Sequence, residues 1–220
     1  MLVNGVFATI SLKKVLMQGF ILRTQGVRDE DLLVSILTPD ALVLAYRFYG
    51  ARHALITQGY KLDFELEQKA GFLPHLKGTL HLGYKWLANR ERLATWQLFM
   101  RGLYAHLKDA SELDSFYFEL CESCCERMQR QNPRRVVLEA YIKMLEYEGR
   151  LSDDLRCFIC SKPCNDELCL VRGFLCAHKA CAGNVSFLRS DIKQLFSSKS
   201  SAHLSDEIID KLYYIILEGL

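Results

Sequence analysis

The chain has 220 residues, half of them hydrophobic and a quarter charged, with a formal net charge of +2. That length suffices for one large domain or two to three small ones, and the apolar share excludes an intrinsically disordered chain. A charge this close to zero excludes nucleic-acid binding by global attraction, so any such contact must come from local clusters of Arg and Lys.

Met1 to Ile10 carries no basic residue ahead of its apolar ones, and Lys13 and Lys14 follow it, the reverse of a secretory leader. No uncharged run approaches the roughly 18 residues that span a bilayer. These features predict a cytoplasmic protein without a membrane partner. In that setting nine cysteines read as free thiols or metal ligands in preference to disulfides.

From Val15 to about Leu66 the chain has the texture of strands. Short runs rich in Val, Ile, Leu, Phe and Tyr cover Met17–Thr24, Leu32–Leu37, Ala41–Phe48, His53–Thr57 and Lys61–Glu67. Turn residues separate them, as in Thr38-Pro39-Asp40 and Tyr49-Gly50. In the last run Leu62, Phe64 and Leu66 alternate with charged neighbours, the pattern of a strand with one wet face. Five short strands with tight turns predict a small closed or nearly closed barrel.

After Gly78 the period changes. Leu82–Leu107 and Leu113–Met128 carry apolar residues at helical spacing, and Asn132-Pro133 starts a third helix with Pro where its missing N–H costs nothing. Cys121, Cys124 and Cys125 lie in the second of these and read as packed or half-exposed thiols. Gly149 stands where a stop is expected. A thiol-rich stretch occupies about 155–183, Ser197–Ser201 reads as a flexible link, and Ser205–Leu220 as a final helix with Asp206 and Glu207 in its first turn.

Cys157-Phe158-Ile159-Cys160, followed after fifteen residues by Cys176 and Cys181, is how a short polar segment holds zinc, with two ligands from each of two tight turns. The second pair is spaced by four residues instead of two. Cys164, Cys169 and His178 are near enough in sequence to substitute for a ligand. Neither His-Glu-x-x-His nor the deaminase arrangement of His-x-Glu with Pro-Cys-x-x-Cys occurs, so the metal is expected to be structural. The other reading is a metal-free loop with packed cysteines.

Two basic groups could meet nucleic acid. In Tyr46-Arg47-Phe48-Tyr49, alternation puts Arg47 and Tyr49 on one face, a ring for bases beside a cation for phosphate. Arg23, Arg28, Arg52 and Lys61 would extend that track, although aromatics on a barrel strand are more often core. The second group is Arg127, Arg130, Arg134 and Arg135, which either contacts phosphates or forms a solvated helix end. No phosphate loop, serine elbow or dinucleotide fingerprint is present, so no enzymatic activity is expected.

In this order the chain becomes recognisable. Gly19-Phe20-Ile21-Leu22-Arg23, Arg28-Asp29-Glu30-Asp31-Leu32-Leu33, Leu37-Thr38 and Tyr49-Gly50-Ala51-Arg52 resemble the amino-terminal barrel of the bacterial recombination mediator RecO. Leu138 to Arg150, leading into Leu155-Arg156-Cys157-Phe158-Ile159-Cys160, resembles that family's approach to its cysteine motif. The resemblance covers about residues 17 to 185. Many members have Gly after the first thiol pair and a second Cys-x-x-Cys; here Ser161 and Lys179 stand at those places.

The resemblance implies an α+β multidomain protein. An OB-fold barrel would span 1–80, with 1–16 as an extension, and a helical domain 81–154. A zinc-ribbon-like insert would span 155–183, and a helical segment of 184–220 would pack back on the helical domain. It further implies a DNA-binding protein of recombination and repair that anneals complementary strands and loads recombinase onto single-stranded DNA coated by single-strand binding protein. Single- and double-stranded DNA, the tail of the single-strand binding protein and RecR would be its partners. The alternative is a zinc-ribbon scaffold whose barrel and helices bind only proteins.

Overall fold

A computed structural model describes residues 16–110, 112–152 and 154–220. The extension expected over residues 1–16 therefore lies outside the described residues except for Leu16, which begins the first strand.

Five strands close a barrel in the order β1-β2-β3-β5-β4: β1 (Leu16–Gly26), β2 (Leu32–Leu37), β3 (Leu42–Arg47), β4 (Lys61–Glu67) and β5 (His75–His81). All neighbours are antiparallel except β3 and β5, which run parallel and close the cylinder. This is the connectivity of an OB-fold. The long first strand serves both sides, Leu16–Phe20 pairing with β4 and Phe20–Gly26 with β2. A register shift between Ile21 and Arg23 supplies the bend that this requires.

Side-chain alternation along β1 divides its residues between two cores. Ile21 faces inward with Val34, Ile36, Ala45, Ile56, Leu62, Phe64 and Leu76, filling the barrel. Phe20 and Leu22 join the second core, shared with the helices. Gly19 sits where no side chain fits, because a Cβ there would run into Ile36 Cγ2 and lie 2.9 Å from the Leu37 carbonyl oxygen. Gly19→Ala should therefore destabilise the protein by about 1–3 kcal/mol through overpacking. Urea unfolding measures this, and a change below about 0.5 kcal/mol would show that β1 and β2 separate freely.

Two expectations for the barrel need correcting. His53–Thr57 is a turn, closed by His53 N–H to Gly50 O and Ile56 N–H to His53 O, and only Ile56 is buried. The fifth strand is His75–His81, a stretch to which the sequence reading assigned no strand. Gly78, with φ +54°, is the extra residue of a bulge where β5 loses register with β4 between Asp63 and Glu65. That bulge breaks the alternation by which a strand is recognised.

The helical domain comprises α1 (Arg90–Leu107), α2 (Phe116–Met128) and α3 (Pro133–Tyr147). Side chains of Asn89 and Asn132 cap α1 and α3 by accepting from the backbone N–H groups of Arg92 and Arg134. Gly149, at φ +67°, ends α3. Helix α3 is buried nearly all round, from Val136 to Leu145, since it packs against α1, α2 and the helix at Asp206–Leu217. Cys121, Cys124 and Cys125 are packed in this core, where burial pushes the Cys124 thiol up to about 12.

The insert is a three-stranded sheet in the order β7-β6-β8, with β6 (Glu167–Val171), β7 (Leu175–Ala177) and β8 (Ser186–Leu188), and a single helical turn, α4 (Lys179–Ala182). Helices α5 (Arg189–Ser198) and α6 (Asp206–Leu217) follow, α6 lying on α3. Ser197–Ser201 is not a loose link. Its first two residues finish α5, and buried Ser201 donates through N–H and hydroxyl to Glu139 Oε1, each at 2.7 Å.

Candidate functional site

Residues 156–163 form a tight knuckle. Arg156 bridges Pro163, Cys157 N–H donates to the Lys162 carbonyl, and Ser161 N–H to the Cys157 carbonyl. Ser161 takes φ +58°, the conformation that glycine adopts at no cost. The knuckle presents Cys157 and Cys160. Opposite it, His178 lies at the start of α4 and Cys181 within that turn, tied to it by Cys181 N–H to the His178 carbonyl at 2.9 Å. One ligand atom from each of Cys157, Cys160, His178 and Cys181 lies within 4.8 Å of all the others.

This group fits zinc by its geometry and chemistry. Zn–S near 2.3 Å and Zn–N near 2.05 Å imply tetrahedral edges of about 3.6 Å between S and N. His178 Nδ1 lies 3.4 Å from Cys160 Sγ and 3.9 Å from Cys181 Sγ. The imidazole's other nitrogen, Nε2, is 2.9 Å from the Pro163 carbonyl and donates to it, leaving the Nδ1 lone pair for a metal. Burial opposes ionisation of Cys157, but N–H groups of His178, Cys160 and Ile159 outweigh it and hold that thiol down at about 6. A thiol poised as thiolate is what a metal requires.

Cys176 is not in this group, which corrects the expected ligand set. It lies on β7 opposite Leu170, its side chain in the hydrophobic core, and burial pushes its thiol up to about 12. Its contribution to the knuckle is a backbone carbonyl that accepts from Phe158 N–H at 2.9 Å. The signal for the correct ligands was present as His178-Lys179-Ala180-Cys181, which restores the two-residue spacing that Cys176 and Cys181 lack. Cys164 is buried in the same core, and the Cys169 thiol donates to the Asn184 carbonyl at 3.2 Å. Neither belongs to the group.

The basic residues are dispersed. Arg47 does not share an open face with Tyr49, because β3 ends at Arg47 and the chain turns at Tyr49 (φ +52°). Its guanidinium donates to the Leu76 carbonyl at 2.8 Å across to β5, and partial burial lowers its pKa. Lys61 is buried, ion-paired with Glu122 and set against the rings of Phe118 and Phe20 at 5.3 and 5.8 Å. It joins the barrel to α2 and is closed to a ligand. Tyr49 is exposed with Arg52 over its ring at 5.2 Å, but Arg52 also pairs with Glu30. Arg28 is exposed without an ion pair among the described residues, and Arg23 stands over the Tyr104 ring at 5.0 Å.

Most of the second cluster is internal bracing. Arg127 pairs with Glu139, Arg134 with Asp210 at 2.7 Å, and Arg135 with Asp206 at 2.8 Å. Arg135 also donates to the carbonyls of Ser201 and Leu204, which fixes the approach to α6. Burial would raise the Glu139 carboxyl, but the Ser201 and Arg127 hydrogen bonds outweigh it and hold it below the usual range. Only Arg130 remains exposed and unpaired among the described residues of that cluster. Partners 12 to 76 residues away had no mark in the local sequence.

Aromatic surface lies at one end of the barrel, where the sequence reading named Tyr49 but not Phe48 or Phe72 as exposed rings. Phe48 packs edge-on against Tyr46 and His75, with ring centres at 4.8 and 4.9 Å. Phe48, Tyr49 and Phe72 are all more than half, or half, exposed. Among the described residues no helix is long and apolar enough to cross a membrane.

Against known proteins, residues 17–87 match the family described as RecO N terminal. No curated protein matches the chain. The matched span contains the whole barrel from Met17 onward and the first turn after it, Lys85–Leu87. Barrel topology and family match agree, and they carry with them a general role in DNA recombination and repair. Residues 17–87, and with them the barrel, are thus similar to the RecO N-terminal domain.

Proposed function

We propose that the chain is a non-catalytic recombination mediator that binds single- and double-stranded DNA and anneals complementary strands. In this reading it also helps recombinase replace the single-strand binding protein, whose tail and RecR are its protein partners. The observation that carries the reading is the closed β1-β2-β3-β5-β4 barrel lying within the residues matched to RecO N terminal. Exposed rings at Phe48, Tyr49 and Phe72 support a surface on which bases stack. The insert holds a structural zinc through Cys157, Cys160, His178 and Cys181, and zinc there supplies cross-linking of the knuckle to α4. No step requires catalysis, since neutralised phosphates repel each other less and complementary strands then pair unaided.

A second reading, a scaffold that binds only proteins, is favoured by one observation. Five of the nine basic residues expected on DNA are paired with carboxylates: Arg52, Lys61, Arg127, Arg134 and Arg135. An annealing assay with complementary strands coated by single-strand binding protein separates the two. The mediator reading expects faster duplex formation than without protein, and affinity that falls as salt rises. No acceleration, or binding indifferent to salt, would leave the scaffold.

A further inference from the structure

The junction of barrel and helical domain contains a basic cleft of about 450 Å³, lined by Leu22, Arg23, Thr24, Gln58, Arg101, Tyr104, Ala105 and Lys108. Three of these residues are cations and none is acidic. Arg23 and Arg101 are exposed without an ion pair among the described residues, and Lys108 has only exposed Asp109 at 3.8 Å. Arg101 and Tyr104 on α1 and Lys108 at its C-cap are three and four residues apart, so they share one face, and β1 supplies Arg23 across from them.

The walls are fixed relative to each other. Gln58 donates to the Leu22 carbonyl at 2.7 Å, Gln97 to the Gln58 carbonyl at 3.1 Å, and Trp96 to the Gly59 carbonyl at 2.8 Å. The Tyr104 ring is occupied by the Arg23 guanidinium, which leaves the N–H groups at the edge of that guanidinium for an anion. A cleft with three cations, a neutral amide and a ring already covered by Arg23 suits phosphates and offers little to distinguish bases.

We propose that this cleft, and not the arginines around Pro133, holds the sugar–phosphate backbone of the single strand, with Arg23, Arg101 and Lys108 as the phosphate contacts. The proposal rests on the DNA-binding reading above and deepens it by moving the contact to the α1 face. The barrel-end rings would then meet bases while the junction grips the backbone.

The test is binding of the full chain to a fluorescent oligothymidylate over a range of salt. One variant carries Arg23→Gln, Arg101→Gln and Lys108→Gln. A charge-matched control carries Lys69→Gln, Lys162→Gln and Lys193→Gln, three exposed residues without ion pairs among the described residues. Three lost contacts should lower the slope of log K against log salt by about 2 and weaken binding about fifty-fold near 0.15 M salt, with the control close to wild type. Circular dichroism confirms that both variants fold, and single substitutions replace the triple one should it fail to. If wild type binds and both variants weaken alike, or neither does, the cleft proposal falls while the DNA-binding reading stands. If wild type itself does not bind, both fall.

Discussion

His178→Ala should purify with little zinc, whereas Cys176→Ala should keep close to one ion per chain. The expectation follows from the site geometry, in which His178 Nδ1 faces the thiols of Cys160 and Cys181 and Cys176 is buried in the neighbouring core. Removing one of four ligands leaves a position that water fills poorly in a structural site. His178→Cys should restore retention, because a thiolate at that place completes a four-thiolate set. Elemental analysis of each protein reads the result directly. Zinc kept by His178→Ala and lost by Cys176→Ala would overturn the assignment and restore the ligand set that the cysteine spacing suggests.

The consequence for stability should be local. Structural zinc contributes on the order of 10 kcal/mol to folding of small zinc domains, and the knuckle buries little apolar surface of its own. Phe158 and Ile159 are each half exposed. Chelation should therefore loosen residues 156–163 and 178–182 while the barrel, with its separate core of Ile21, Val34, Ile36, Leu62 and Phe64, remains folded. Hydrogen exchange would localise that loss.

Legibility in the sequence followed the range of the interactions. Strands β2 and β4 and the start of α3 were readable to the residue, because alternation and a capping Asn-Pro are local signals. Strand β5 was not, since Gly78 and its bulge interrupt the period and only Leu76 is fully buried along it. The metal group was half legible. Counting cysteines found three ligands, and the fourth was obscured because Cys176, a core residue, happens to lie two positions before His178. The basic residues were the least legible. Whether an arginine is free for a ligand depends on a carboxylate elsewhere in the chain, as Arg134 depends on Asp210 and Lys61 on Glu122. Conversely, Arg101 lies in, and Lys108 caps, a helix whose face toward β1 is set only by tertiary packing.

That packing turns on Trp96, and Trp96→Ala should be the most destabilising single change in the helical domain. The side chain is fully buried on α1, its ring centre 6.1 Å from Phe20 of the barrel, 6.0 Å from Trp86 and 5.7 Å from Phe99. Its indole N–H donates to the Gly59 carbonyl in the turn before β4. That turn is shaped to receive it, since Gly59 has φ +90° and a Cβ there would sit 2.8 Å from Trp96 Cδ1. Truncation to alanine removes a large buried ring and leaves a cavity, a loss of about 3–5 kcal/mol. Trp96→Phe keeps most of the ring and loses the hydrogen bond, so it should cost less, about 1–2 kcal/mol. Both are read from denaturant midpoints, with wild type as reference. If the barrel and helices unfold together, one transition shifts; if Trp96 is what joins them, the alanine variant should split into two transitions. A midpoint within about 0.5 kcal/mol of wild type would show that the two domains are held by other contacts, such as Lys61 with Glu122. The same substitution bears on the cleft, because Arg23 and Arg101 line it together only while β1 and α1 are locked. Weaker oligothymidylate binding by Trp96→Ala, with Trp96→Phe close to wild type, would tie the grip on phosphate to the rigidity of this junction.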